Sequence, residues 1–516
     1  MSQAHQIREQ SRSRLLDERG TLRKEAPWRV ALAYPSPYHV GMSSLGFQAI
    51  YRALNAMREV AAERVFLPDD VEAFKAARLP LYTLESEREV RTCPVIAFSV
   101  AYELELHGLF SVLELAGIPA RREERDEAYP LVVAGGPLTF SNPDPLEPFV
   151  DVLVQGEAEG LVVELLEAVK GATSRDSLLA SLAERPGFRV PGRSRPTSRY
   201  FVAKVDDALL PAHSQIVTPH TELRDMFLVE PARGCSRGCH YCVMRRTTNG
   251  GMRVVPKDTV LGLVPADARR VGLVGAAVTD HPKIHELLEA LVAQGREVGV
   301  SSLRADRLTQ RLVNALKAGG ARGLTVASDG ASQRMRDLVD RKHTETQLIA
   351  AATFAKAAGI ERLKLYQIVG LPLETDEDID ELVRFTRELS KILPVALGVA
   401  PFSAKRQTPL DGAPFAGIDV VEARLKRLRK GLQGKAEVRP TSARWAYVEH
   451  VLAQCGPEAG LAAYDAWKAG GGFSAWKKAF EAHACTPYEA RRVADGRHKS
   501  TTWPSVGPAH AAGATA

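Results

Sequence analysis

Cysteine is scarce: six residues among 516. A chain with so few cannot be organised by a disulfide framework, and reduced thiols in a cytosolic setting point to metal or catalytic roles where they cluster. Aromatic residues make up only 6%. No run of about 18 apolar residues occurs, so no membrane-spanning helix is expected. The opening MSQAHQIREQSRSRLLDERG lacks the apolar stretch of a secretory signal, which predicts a cytoplasmic chain starting near Met1. Neither charge sign dominates: 68 Lys and Arg stand against 62 Asp and Glu, a net charge of +6. That mild excess permits an RNA or phosphorylated partner without requiring one. Arg245 with Arg246, and the basic run over 424–430, read as solvated surface.

What is present is ordinary globular composition, 45% hydrophobic and 25% charged. At roughly 150 residues per domain the length predicts about three domains. A charged helical lead is expected over 1–27. Short apolar strands then alternate with helical patterns: WRVALAYP, VIAFSVAYE, LVVAGG and VDVLVQGEAEG, with helices such as GFQAIYRALNAM and GLVVELLEAVK between and after them. This alternation predicts a parallel α/β sheet covered on both faces, a Rossmann-like domain over 28–170. A Pro- and Ser-containing connector follows over 171–224. Strand–helix alternation restarts at 225 and runs to 435, enough for a (β/α)6 partial barrel with its functional residues at strand ends. Residues 436–495 read as a small helical region dotted with aromatics, and 496–516 as a disordered tail. Trp445 and Trp476 read as core of helices capping the barrel mouth, with substrate contact as the alternative.

Three of the six cysteines fall within EPARGCSRGCHYC, as Cys235, Cys239 and Cys242 in the spacing C-x3-C-x2-C. Three thiolates cannot close a structural zinc site without a fourth ligand, for which adjacent His240 is a candidate. Three thiolates on a four-iron cluster leave one iron without a protein ligand, open to a substrate. Gly234 and Gly238 suit a loop wrapped around a bulky group. The isolated Cys93, Cys455 and Cys485 read as packed thiols.

This loop, with aromatic Tyr241 before its third cysteine, resembles the radical S-adenosylmethionine (radical SAM) superfamily. The segments GLVGAAVTDHP, VSSLRADRLT, LTVASDGASQRMRD and LKLYQIVGLPLETDEDI resemble that family's later strand ends. The whole is most similar to a branch with an N-terminal cobalamin (B12)-binding-like domain. The resemblance implies a [4Fe–4S] cluster on the three cysteines, SAM chelating its fourth iron, and reductive cleavage of SAM to a 5′-deoxyadenosyl radical. It implies SAM contacts at Gly275 and Ala276, at Ser302 and Arg304, at Asp329 and Arg334, and at Gly370 and Pro372. Asp329 stands where many relatives carry Glu, one methylene longer, so its ribose contact departs from the pattern. Glu374 and Asp376 read as the start of a helix.

In the front domain, Ser99, Gly135, Gly136 and the QGEAEG segment lie at expected strand ends, where ligands of open α/β sheets bind. The order resembles cobalamin-binding domains. Those that supply a histidine to cobalt carry D-x-H-x-x-G; here Pro37-Tyr38-His39-Val40-Gly41 lacks the Asp and places the Gly one position early. Cobalt ligation by His39 is therefore not expected. Three readings follow. The first is a cobalamin-dependent radical SAM enzyme that methylates or rearranges an unactivated carbon of a small-molecule substrate. The second is a cobalamin-independent radical SAM enzyme, including a methylthiotransferase-like modifier of RNA or protein. That form is disfavoured because its front domain carries a second cysteine trio and this one offers only Cys93. The third is a non-catalytic iron–sulfur or zinc module. A flavodoxin or ferredoxin is the expected reductant; nucleic acid is not favoured as a partner.

Overall fold

The computed structural model describes residues 2–194, 204, 206–244, 251–301 and 303–485. Ser302, Arg245, Arg246 and the 496–516 tail, singled out above, lie outside the described residues. The front domain is a six-stranded sheet of β1 (Trp28–Pro37), β2 (Val60–Leu67), β3 (Val95–Ser99), β4 (Leu131–Gly135), β5 (Val152–Val154) and β6 (Phe188–Arg189). Its order is β2-β1-β3-β4-β5-β6. All neighbours are parallel except β5 with β6. The sheet therefore continues past residue 170 into the expected connector. The order reverses between β1 and β3, and such a switch point opens a crevice at the carboxyl ends of those strands.

Alternate residues of β1 feed the two sides of the sheet. Val30 and Leu32 join Phe47, Tyr51 and Leu165 from the helices Leu45–Ala56 and Ala158–Gly171. Ala31 and Ala33 join Leu109 and Phe110 of the helix Leu106–Leu115. This second core also takes Val451, Ala462 and Trp476 from the C-terminal helices Ala443–Gln454, Pro457–Lys468 and Phe473–Ala482. These helices thus complete the front domain as well as reaching the barrel. Gly460 lets one of them approach closely: a Cβ there would stand 2.0 Å from the Pro145 carbonyl oxygen.

The second domain comprises β7 (Met226–Val229), the antiparallel pair β8 (Ala232–Gly234) and β9 (Met252–Val254), β10 (Arg270–Leu273), β11 (Glu297–Val300), β12 (Gly323–Ala327), β13 (Arg362–Val369), β14 (Val395–Pro401) and β15 (Glu437–Pro440). It has a three-stranded sheet, β11-β10-β7, and a four-stranded sheet, β12-β13-β14-β15. Both are parallel, and a parallel bridge between Leu303 and Val326 joins them. The result is an open barrel with its helices outside. One expectation needs correction. Residues 437–440 are not helical: β15 pairs with β14, because Val438 packs on the barrel core while Glu437 and Arg439 pair with each other outside. The basic run also does more than face water: Arg424 pairs with Glu374, just before the helix Asp376–Ile392, and Arg427 with Asp380 on it.

Candidate functional site

The cysteine loop leaves β8 through Gly234, whose φ of +85° is left-handed and costs glycine least. Ion pairs and hydrogen bonds then pin the loop. Ser236 donates to Asp280 Oδ2 at 2.5 Å, and Arg237 pairs with Asp306. The His240 N–H donates to the Val339 carbonyl at 3.0 Å, and its Nδ1 meets the Leu338 carbonyl at 2.8 Å. That ring nitrogen is engaged by backbone. Among the described residues, no three His, Cys, Asp or Glu side chains are gathered closely enough for one metal ion. A four-iron cluster takes one thiolate on each of three irons.

Cys239 is buried and Cys235 and Cys242 partly so. Burial pushes the Cys239 thiol up, opposed by the nearby Arg341 charge, and pushes Cys242 up as well. Arg341 Nη1 lies 3.7 Å from Cys239 Sγ, and its Nε lies 2.8 Å from Asp329 Oδ2. The Tyr241 hydroxyl donates to the same carboxylate oxygen at 2.7 Å. Burial and the Asp329 charge raise the Tyr241 phenol far above its ordinary range, so it stays a donor. Asp329, with φ +64°, thereby joins the cysteine loop to the β12 end.

The other sequence-predicted residues fall into distinct settings. Gly275 follows β10; its N–H donates to Ser301 Oγ at 3.1 Å, and a Cβ there would lie 3.1 Å from the Ala232 carbonyl oxygen. A small residue is needed at that contact; Ala276 comes next in the chain. Arg304 is buried between Asp280 and Asp306, and Asp306 also receives Arg237 and the His343 ring. Burial works to raise the Asp306 carboxyl, but these partners leave it below its ordinary value. Arg304 thus braces the cysteine loop. Arg334 pairs with Asp378 and donates to the Leu373 carbonyl at 3.0 Å, holding the start of the helix Asp376–Ile392. Gly370 has φ +80° and donates its N–H to Glu374 at 2.8 Å, with Pro372 in the turn between. Glu374 lies inside rather than at a helix start. Burial lifts its carboxyl to about 7 against Arg424 and the Gly370 N–H.

In the front domain Ser99 pairs with Gly135 in the ladder. Gly136 has φ +100°, and a Cβ there would stand 2.6 Å from the Val100 carbonyl oxygen, so its freedom serves the turn itself. A Cβ on Gly135 would meet Val154 at an ordinary 3.5 Å. His39 is exposed, as are Val40 and Tyr102, which follow the adjacent strands β1 and β3. The GE-x-E-G segment reaches the barrel: Glu159 pairs with Arg233 at 2.6 Å and Glu157 with Arg253. Arg233 sits on β8, two residues before Cys235, so the front domain holds the strand that launches the cysteine loop.

A cavity of about 390 Å³ opens where the two domains and the C-terminal helix Ala443–Gln454 meet. Its wall includes Leu104 after β3, Tyr241 of the cysteine loop, Ile368 of β13, and Trp445. Trp445 is 39% exposed, whereas Trp476 is buried and stacked on His107 with ring centroids 4.5 Å apart. Of the two tryptophans, Trp445 is the one positioned to touch a ligand. Lys405, also in the wall, lies 2.7 Å from both Glu103 oxygens and from Glu449 Oε1. Sequence reasoning missed Arg341, Lys405 and Glu449, because no local spacing announces partners so far apart in the chain. Glu103 closes the quoted FSVAYE strand end and was the available signal. Cys93 and Cys455 are buried in the second front-domain core, and Cys485 packs against it.

Comparisons with known proteins bear on both domains. The family described as "Radical SAM proteins, N-terminal" matches residues 46–191, and the radical SAM superfamily matches 229–386. An uncharacterised protein of Methanocaldococcus jannaschii is 27% identical over 75% of this chain and 80% of its own. Two further relatives match over about half their own length or slightly more. An uncharacterised methyltransferase of Pyrococcus horikoshii is 23% identical, covering 50% of this chain and 58% of its own. The ribosomal protein uS12 methylthiotransferase RimO of Geobacter sulfurreducens is 29% identical, covering 40% and 48%. Among solved structures, the radical SAM methyltransferase TsrM of Kitasatospora setae, with cobalamin and a [4Fe–4S] cluster bound, superposes with TM-score 0.53 at 16% identity, covering 77% of this chain and 75% of that one. The cobalamin-dependent SAM radical enzyme OxsB superposes with TM-score 0.51 at 15% identity, covering 72% and 53%. With two successive family matches, the chain belongs to the radical SAM superfamily, and it shares the two-domain fold of TsrM and OxsB.

Proposed function

We propose that this protein is a radical SAM enzyme that uses cobalamin to methylate or rearrange an unactivated carbon of a small molecule. The observation that carries the reading is the placement of the C-x3-C-x2-C loop beside a cavity walled by the carboxyl ends of both domains. When bound, a [4Fe–4S] cluster, SAM and cobalamin together supply a 5′-deoxyadenosyl radical and a transferable methyl group. Cys235, Cys239 and Cys242 are the ligands offered to the cluster. Ser236, Arg237 and Arg304 brace the loop through Asp280 and Asp306. Gly275 allows close approach at the β10 end. Val40 and Tyr102 offer the exposed edge for cobalamin, with no histidine expected on cobalt. Reducing electrons come from a small protein such as a flavodoxin or ferredoxin.

The methylthiotransferase relative supports a second reading, a cobalamin-independent modifier of RNA or protein. Against it, the remaining cysteines are packed in the front-domain core. Anaerobic purification from cells supplied with cobalamin decides between them. Four irons with near-stoichiometric cobalamin, and SAM cleavage under reductant, are expected. Iron without cobalamin would favour the second reading. Retained SAM cleavage after Cys235→Ala, Cys239→Ala or Cys242→Ala would sink both.

A further inference from the structure

The cavity wall carries an unbalanced charge. Its charged side chains are Lys405 and Glu449. Behind Lys405, Glu103 is buried with its side chain 3% exposed, and both its oxygens are taken by the ammonium. One ammonium thus faces two carboxylates, leaving a net negative charge. His450, next in the helix, adds no compensation: burial and the Lys405 charge lower its imidazole to about 4, so it is neutral near pH 7. Glu449 Oε1 is bound to Lys405, and no described donor reaches its Oε2. Its side chain remains 31% exposed. Trp445 stands one helical turn earlier on the same face, four residues being the spacing of helical neighbours. An aromatic face and a carboxylate oxygen therefore border one space, inside a cavity whose low-dielectric walls concentrate the field.

We infer that this cavity selects a cationic substrate, one bearing an amine or an equivalent positively charged group, with Trp445 and Glu449 as its specificity-determining residues. The inference rests on the proposed reading of the cavity as the substrate cleft. Tyr241 in the wall puts such a substrate beside the cysteine loop. The cation sits over the indole and against Glu449 Oε2, restoring charge balance to the Glu103–Lys405–Glu449 group. A neutral or anionic molecule of the same shape gains neither contact. The cavity's size, about 390 Å³, admits a small organic molecule rather than a bare ion.

The test uses the full-length, cluster-loaded protein under anaerobic conditions, with benzylammonium, benzyl alcohol and benzoate as matched probes. Binding is read by ligand-observed NMR and by quenching of Trp445 fluorescence, with Trp445→Phe as the reference. Saturable benzylammonium binding is expected, at least tenfold tighter than benzyl alcohol, with no benzoate binding. Glu449→Gln should remove most of that preference, since Lys405 keeps Glu103 as its partner and the variant should fold. Trp445→Leu should weaken benzylammonium while retaining the preference over benzoate. Equal binding of the three probes, tighter benzoate, or an unchanged preference in Glu449→Gln would overturn the assignment. Displacement of benzylammonium by stoichiometric SAM would also overturn it, by giving the subsite to the cofactor's own ammonium. SAM cleavage without added substrate is measured in parallel. Its loss would count against the radical reading, whereas loss of probe discrimination counts against the cation subsite.

Discussion

Donors reach the sulfurs of the cysteine loop, among them the Met244 backbone at Cys242. The Arg237 N–H approaches Cys235 Sγ at 3.4 Å and the Arg341 guanidinium approaches Cys239 Sγ at 3.7 Å. Hydrogen bonds and charge beside cluster sulfurs set reduction potential. A positive donor stabilises the more negative, reduced cluster, so Arg341→Gln is expected to move the midpoint to a more negative value. Iron content should be little changed, because the three thiols remain. Redox titration followed by electron paramagnetic resonance checks this; an unmoved midpoint with full iron would show that Arg341 serves only Asp329. Asp329→Asn removes a negative charge that opposes Arg341 at the same sulfur, so it is expected to shift the midpoint the other way, to a more positive value. The cysteines themselves were legible in the sequence because their function needs contiguous spacing. Arg341 was not, since its role comes from a turn that returns the chain to the loop. The carboxylate of Asp329, expected to contact a ribose, lies between Tyr241 and Arg341.

At the scale of elements, the strands read from sequence were those with uninterrupted apolar runs. β2 escaped because its centre is Glu63-Arg64, both buried. Arg64 holds Glu18 through two hydrogen bonds of 2.7 Å and Glu85 through its Nε at 2.6 Å. Burial alone would strip the charge, yet the paired carboxylates keep Arg64 strongly cationic. The group also ties the N-terminal lead to the sheet, since Glu18 follows the helix Gln3–Leu16. Arg64→Met leaves two buried carboxylates without their partner, and such losses cost about 3–5 kcal/mol. Urea unfolding should show that loss; a change under about 1 kcal/mol would mean the carboxylates find other donors or water. Helix packing makes a parallel prediction at Gly108, where a Cβ would stand 1.8 Å from the Pro35 carbonyl oxygen. Backbone must move to admit it, so Gly108→Ala is expected to destabilise by about 1–3 kcal/mol, in the range of overpacked cores. A neutral effect in the same unfolding assay would show that the helix shifts freely away from the β1 end.

For the whole molecule, the C-terminal helices join what sequence reading separated. They were legible as helices from their periodicity, but not as part of the front-domain core, because periodicity reports a buried face and not what buries it. Two histidines make this union sensitive to acid. His450 is 2% exposed, and burial followed by the Lys405 charge lowers it to about 4. His107, stacked on Trp476, is also lowered to about 4 by burial. The unfolded chain takes up a proton on each near pH 6.5, whereas the folded protein resists until about pH 4. The unfolded state therefore binds more protons across that window. Stability is full above pH 6.5 and falls as the pH drops toward 4, by about 3 kcal/mol for His450 alone at 1.36 kcal/mol per pH unit. Denaturation midpoints between pH 7 and 5 avoid most carboxylates, while Glu374, lifted to about 7, acts in the opposite sense and equally in the native protein and in His450→Gln, so the difference between the two isolates His450. The midpoints should fall with acid in the native protein and fall less in His450→Gln, which cannot gain the proton. Equal slopes for the two proteins would show that His450 is protonated without cost, and that acid acts on the helices through other groups.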